Sequence, residues 1–305
     1  MASTRASRSS SSSDRSGEEH PRRIVLDDGR LLAFAEYGDP AGRPIFSFHG
    51  GLSSRLDAAP LSAECRALGV RLISPDRPGI GRSDFQRARV LADWPRDVNA
   101  IADSLDLGRF AVMGWSLGGQ YAAVCAHALP HRVTRAAMLA SVVPFEIAET
   151  DAGLTWIDRS MLRLSRSAPH LASVALRAGI SLPSVARLQR VIDSELSAAD
   201  LEAMRRDRSP TAVAEAIKEA LRSGTRGVVR DYRIYGDEWG LKLEHIRIEV
   251  GIWQGDADGL VPAADAKVLA DRIPRSKLVI AAGEGHISLV RNRCAEIMRW
   301  LCADG

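Results

Sequence analysis

The chain has 305 residues, 46% of them hydrophobic and 26% charged, with a formal net charge of +3 at pH 7. That is enough apolar material for one large core, and with no basic block interleaved with aromatics it gives no reason to expect a nucleic-acid partner. No uncharged apolar run reaches about 18 residues, so no transmembrane helix is expected, and the four scattered cysteines (Cys65, Cys125, Cys294 and Cys302) read as reduced apolar side chains of a cytosolic protein.

Residues 1–21 are rich in Ser and Arg and nearly free of apolar side chains. They predict a disordered tail, native or processed, without the hydrophobic stretch of a signal peptide. Residues 22–26 and 31–37 flank Asp27, Asp28 and Gly29, a hairpin pattern. An apolar strand at 45–48 ends in His49, Gly50 and Gly51. Residues 57–68 have apolar positions at helical spacing and stop at Gly69, a C-cap. A strand at 71–74 then leads into a Gly- and Pro-rich turn, 76–84, whose charges are expected to tie it down. That turn lacks both the dinucleotide fingerprint and the Lys and Ser/Thr of a phosphate-binding loop.

Asp93 is placed to cap a helix with Pro95 in its first turn, running to about Leu105. Beyond it come a strand at 110–113, the run Gly114-Trp115-Ser116-Leu117-Gly118, a small-residue helix at 119–128 and a strand at 133–139 with no acid at its end. From 144 to 235 the pattern changes to Arg-rich amphipathic helices, with a capping box at Ser197 and Asp200 and a helix start at Ser209 and Pro210. Residues 239–243 return the chain to the sheet. A strand at 249–253 precedes Asp256 and Asp258, and one at 277–280 precedes Gly283, Glu284, Gly285 and His286.

The run around Ser116 reads as a nucleophile elbow. A serine held in a strained strand-to-helix turn needs neighbours two before and two after it that are nearly free of side chain, and Gly114 and Gly118 meet that demand. A serine hydroxyl is a weak nucleophile until a histidine takes its proton, and a buried carboxylate then fixes the imidazole tautomer. The negative oxygen that forms needs preorganised donors, for which the backbone N–H groups of Gly51 and Leu117 are the candidates. His49 reads either as a shaper of that oxyanion loop or as a half-buried histidine bonded to backbone. His127 and His131 are four apart but separated by Pro130, and His20, His170 and His245 have no acids or cysteines clustered near them. No metal or cofactor is expected.

In these motifs and their order the chain resembles the α/β-hydrolase family, in its single-domain esterase, haloperoxidase and lipase-like branch. The resemblance extends from about Arg22 to the end, with no motif in the middle segment. It implies an α/β-hydrolase fold: a mostly parallel eight-stranded sheet flanked by helices, with a core of residues 22–143 and 236–305 and an inserted helical lid at 144–235. Ser116 matches the family's nucleophile, Asp258 its acid and His286 its general base. Asp256 is the rival acid, but the family pattern sets the carboxylate three residues beyond a glycine, here Gly255.

The implied activity is a serine hydrolase acting on small to medium carboxylic esters through an acyl-enzyme. Carbon–carbon bond hydrolase, lactonase, thioesterase and cofactor-free perhydrolase are alternatives with the same triad, and a ligand-binding receptor is the non-enzyme alternative. Related epoxide hydrolases and haloalkane dehalogenases use an aspartate where this chain has Ser116, and Leu52 and Leu117 depart from the pattern of proline iminopeptidases. The expected partner is a small-molecule ester or acyl substrate. Met161, Leu162, Leu164, Leu171, Ile180 and Leu182 are candidates either to face it or to pack the lid onto the core. Oligomeric state is left open.

Overall fold

Stretches whose apolar side chains fall alternately on two buried faces become the strands of one sheet. The computed structural model describes residues 21–144, 156–180, 190, 193–194, 196–206 and 211–303. Its strands are β1 (Arg22–Val25), β2 (Leu31–Gly38), β3 (Arg43–Phe48), β4 (Val70–Pro75), β5 (Phe110–Trp115), β6 (Val133–Leu139), β7 (Glu249–Gly255) and β8 (Ser276–Ala281). They lie in the order β1-β2-β4-β3-β5-β6-β7-β8. The β1–β2 and β2–β4 pairs are antiparallel, and every other pair is parallel.

Period-two alternation divides the core between the two faces. Phe46, Phe48, Phe110 and Val112 fill one face with Trp94, Val98 and Tyr121 from the helices Trp94–Ser104 and Gly118–Ala128. Ile45, Ala111, Met113 and Trp253 fill the other with Cys65, Ile297 and Met298 from Ser62–Ala67 and Cys294–Cys302. On the first face, Phe46 meets Phe110 edge-on at 4.8 Å between centroids, and Trp94 meets Phe48 at 5.5 Å and Tyr121 at 5.6 Å. Burying each such ring contributes about 1.5 to 3 kcal/mol.

Two local expectations are corrected. The single helix expected at 57–68 is a 3-10 turn, Arg55–Leu61, followed by a short α-helix, Ser62–Ala67. Pro60 lies inside the turn and has no N–H to give to an α-helical ladder. Asp93 precedes the helix Trp94–Ser104 but gives it no side-chain cap. Its carboxylate instead accepts the Val90 N–H at 2.9 Å, closing a 3-10 turn upstream.

Between β6 and β7 the chain forms the helices Trp156–Ser167, Pro169–Ile180, Ala198–Arg206, Ala212–Ala220 and Arg226–Gly236. Met161, Leu162, Val228 and Tyr232 join the apolar cluster that holds Trp94 and Tyr121, and Leu164 packs against it. Leu171, by contrast, is 62% exposed. Leu182, Ser209, Pro210 and the side chain of Ile180 lie outside the described residues.

Candidate active site

Parallel strands carry their loops to the same edge, so the carboxyl ends of β3, β5, β7 and β8 bring four separate loops to that edge. Ser116 follows β5 directly and has a φ of 56°, a left-handed conformation that costs a residue with a Cβ about 1 to 2 kcal/mol. Its N–H donates to the Leu139 carbonyl at 2.8 Å, and its carbonyl accepts the Gly119 N–H at 3.0 Å. A Cβ on Gly114 would collide with the Gly118 carbonyl, and one on Gly118 with the Phe48 carbonyl. The turn therefore closes only without side chains at these two positions.

The loop after β3 lies over this turn. A Cβ built on Gly50 would stand 3.6 Å from Ser116 Cβ, and one on Gly51 would stand 3.6 Å from Leu117 Cβ. The Gly50 N–H is committed to Asp57 Oδ2 at 3.0 Å. Among the described residues, neither the Gly51 nor the Leu117 N–H takes part in a backbone–backbone hydrogen bond. The next residue, Leu52, is also left-handed, with a φ of 46°.

His49 is buried under the same loop. Its Nδ1 lies 3.0 Å from the Gly50 carbonyl, and its Nε2 accepts the Arg77 N–H at 3.4 Å. Burial, reinforced by the Arg77 guanidinium, holds its pKa well below the ordinary histidine value. It is thus a neutral support for the loop. Arg77 donates to the carbonyls of His49 at 2.5 Å and Gly50 at 2.8 Å, and to Asp231 Oδ2 at 2.8 Å. Arg89 also pairs with Asp231 Oδ1, which accepts the Tyr121 hydroxyl at 3.1 Å. Burial opposes a charged Asp231, but the two guanidinium groups outweigh it and hold the carboxyl at a pKa of about 2.

Sequence reasoning missed Asp231, although a signal was there. It shares the apolar stripe of the helix Arg226–Gly236 with Val228, Tyr232 and Tyr235, and an acid in such a stripe needs a buried partner. The charges of the 76–84 turn do tie it down: Asp76 accepts the N–H groups of Arg55 at 2.9 Å and Arg82 at 3.0 Å, and the Arg55 guanidinium at 2.6 Å.

His286 comes from the loop after β8, and its Nδ1 lies 2.9 Å from Asp258 Oδ2. The Asp258 side chain is fully buried. Its Oδ1 accepts the N–H groups of Leu260 at 2.8 Å and Val261 at 3.0 Å, and its Oδ2 accepts Gln254 Nε2 at 3.0 Å. Burial would raise its pKa, but His286 and the two backbone donors bring it below the ordinary aspartate value. Burial lowers the His286 pKa, and the Asp258 carboxylate, followed by Asp200 and Asp158, more than reverses this. With Nδ1–H given to Asp258, Nε2 is the acceptor on the opposite side of the ring. Asp256, the rival acid, points elsewhere and accepts the Gly283 N–H at 2.6 Å.

Trp115 joins the Ser116 turn to the His286 loop. Its Nε1–H donates to the His286 carbonyl at 3.0 Å, and the two rings lie 5.3 Å apart. A separate cavity of about 340 Å³, lined by Ile24, Arg30, Asp97 and Asn99 among others, touches none of these residues. Among the described residues, no group of three or more His, Cys, Asp or Glu side chains could hold a metal ion, and no helix is long and apolar enough to cross a membrane.

A family profile described as alpha/beta hydrolase fold matches residues 43–292, most of the chain and every loop described above. The chain belongs to the alpha/beta hydrolase family. Among curated members, a non-heme chloroperoxidase of Streptomyces lividans is 31% identical over 123 residues, 40% of this chain and 45% of that protein. This chain thus matches less than half of that relative's length. A pimeloyl-[acyl-carrier protein] methyl ester esterase of Aromatoleum aromaticum is 26% identical over 225 residues, 72% of this chain and 81% of that protein. Among solved structures, the esterase EaEST of Exiguobacterium antarcticum superposes with a TM-score of 0.69 at 16% identity, covering 92% of this chain and 99% of the esterase. At that identity the likeness speaks for the hydrolase fold alone.

Proposed function

We propose that this alpha/beta hydrolase is a serine hydrolase that cleaves small to medium carboxylic esters, with Ser116 as nucleophile, His286 as general base and Asp258 as its orienting acid. The observations that carry the reading are the left-handed Ser116 at the end of β5 and the His286–Asp258 pair, whose loop is joined to that turn by the Trp115 indole bonded to the His286 carbonyl. Ser116 Oγ attacks the ester carbonyl carbon while His286 Nε2 takes the hydroxyl proton. The carbonyl oxygen becomes negative and accepts hydrogen bonds from the Gly51 and Leu117 N–H groups, each such donor lowering the barrier by about 3 to 4 kcal/mol. The intermediate collapses, the carbon–oxygen bond to the alcohol breaks, and His286 returns the proton to that alcohol. Water then attacks the acyl-enzyme, His286 takes its proton, and Ser116 leaves reprotonated with the acid as product. Each step draws on protein groups and water alone, so the reaction needs no cofactor.

The helices inserted between β6 and β7 would act as a lid over the acyl pocket. The methyl ester esterase relative supports an ester substrate. The chloroperoxidase relative favours one second reading, perhydrolysis, in which hydrogen peroxide replaces water as the acyl acceptor. The test is a series of p-nitrophenyl esters of increasing acyl length, given to the wild-type protein and to Ser116→Ala. Turnover in the wild type alone, with an optimum chain length, supports the reading. Equal turnover in both proteins overturns it.

A further inference from the structure

The helix Ala198–Arg206 belongs to the segment inserted between β6 and β7, yet its most buried carboxylate is spent on the loop that carries His286. Asp200 is 1% exposed. Its Oδ1 accepts the N–H groups of Ile287 at 2.7 Å and Ser288 at 2.8 Å, and its Oδ2 accepts that of His286 at 3.2 Å. Three successive backbone donors of the His286 loop thus converge on one side chain. Ser197 holds that side chain from behind: its N–H and hydroxyl donate to Oδ2 at 3.2 and 2.8 Å, and its Oγ accepts the Asp200 N–H at 3.2 Å. A Cβ on Gly285 would collide with Ser197 Oγ and both Asp200 carboxylate oxygens, so the loop can come this close only with glycine there. The same helix also touches the short helix Ser288–Asn292 that follows the loop, where Arg206 donates to Asn292 Oδ1 at 3.1 Å.

We propose that Asp200 is a positioning residue for the catalytic histidine: a carboxylate supplied by the inserted segment clamps the backbone of residues 286–288 and fixes where the His286 ring stands against Ser116. The proposal rests on the reading of His286 as general base. Hydrogen bonds from three N–H groups to a carboxylate are charge-assisted and directional. A misplacement of a reacting group by about 1 Å can cost about 100-fold in rate, so such a clamp bears on kcat rather than on substrate binding. It also makes catalysis depend on the inserted segment staying docked, since lifting the helix away would uncover three buried backbone donors. The charge has a second effect. Asp258 from the loop after β7, Asp200 from Ala198–Arg206 and Asp158 from Trp156–Ser167 all favour the protonated imidazole of His286.

The test compares Asp200→Asn, Asp200→Glu and Ser197→Ala with the wild-type full chain. The readouts are the NMR titration of the His286 ring, assigned through its absence in His286→Gln, and kcat and KM on p-nitrophenyl butyrate. The asparagine keeps one accepting oxygen, turns an NH2 toward the loop's own donors at the other position and removes the charge. In Asp200→Asn, the His286 midpoint should move to lower pH and kcat should fall about 10- to 100-fold at a KM within about twofold. Asp200→Glu, which keeps the charge, should bring the midpoint back toward wild type. A His286 midpoint in Asp200→Asn equal to wild type overturns the proposal, as does a lower kcat with an unmoved midpoint, which is what a merely structural role would give. If the wild type cleaves no ester, the hydrolase reading fails separately, and a lowered midpoint still supports the clamp. If Asp200→Asn does not fold, Ser197→Ala decides: a several-fold loss of kcat supports the clamp, and wild-type kcat overturns it.

Discussion

Asp256 and Asp258 are two residues apart on one loop and differ in everything that matters to a histidine. Asp258 is buried, paired with His286 Nδ1 at 2.9 Å and held by two backbone donors, whereas Asp256 is exposed and closes the Gly283 turn. Replacing Asp258 by Asn keeps the shape but presents the imidazole with the wrong partner for its tautomer, so kcat should fall about 10⁴-fold. Asp256→Asn should leave kcat within about threefold, as befits an exposed substitution outside the chemistry. Steady-state kinetics on one ester decides between them. The reverse ranking would move the acid to Asp256. The pair also sets the pH profile. Because the His286 pKa is raised, the base is lost to protonation at a pH above the ordinary histidine value. The acid limb of kcat/KM should accordingly lie above 6.5.

At the scale of elements, what was legible in the sequence is what steric demand writes locally. The strands β3, β5 and β7 are buried on both faces and read as short apolar runs. The turns at their ends read as glycines because backbone passes backbone there, as Gly118 does against the Phe48 carbonyl. The capping box at Ser197 and Asp200 was legible for the same reason, being closed within one helical turn. What Asp200 does beyond its own turn was not, because its other donors lie 86 to 88 residues downstream and nothing in the local pattern points to them. The buried charges are the same case. Asp231 reaches Arg77 across 154 residues, and only its place in an apolar stripe hints at the partner. Its removal tests how far the inserted helices hold the loop after β3: Asp231→Asn leaves Arg77 and Arg89 buried without their counter-charge. It should cost about 3 to 5 kcal/mol in urea unfolding at neutral pH. A loss below about 1 kcal/mol would mean that the ion cluster does not tie the helix to the core.

For the whole molecule, this cluster joins the loop after β3, the 76–84 turn, the helix Gly118–Ala128 and the inserted segment in one buried network, so it should also govern acid sensitivity. The folded-state pKa of Asp231 is depressed to about 2 from an ordinary 3.8. Its contribution to stability is therefore fully present above 3.8 and lost as the pH falls toward about 2. The gap in unfolding free energy between the wild type and Asp231→Asn should narrow over that window. A gap independent of pH there would contradict the assignment. The central claim is that one serine in this chain is activated by its surroundings, and the most direct test is to treat the pure protein and its Ser116→Ala variant with a fluorophosphonate and weigh both intact. The account predicts a single adduct on the wild type and none on the variant; labelling of both to the same extent, or of neither, would contradict it.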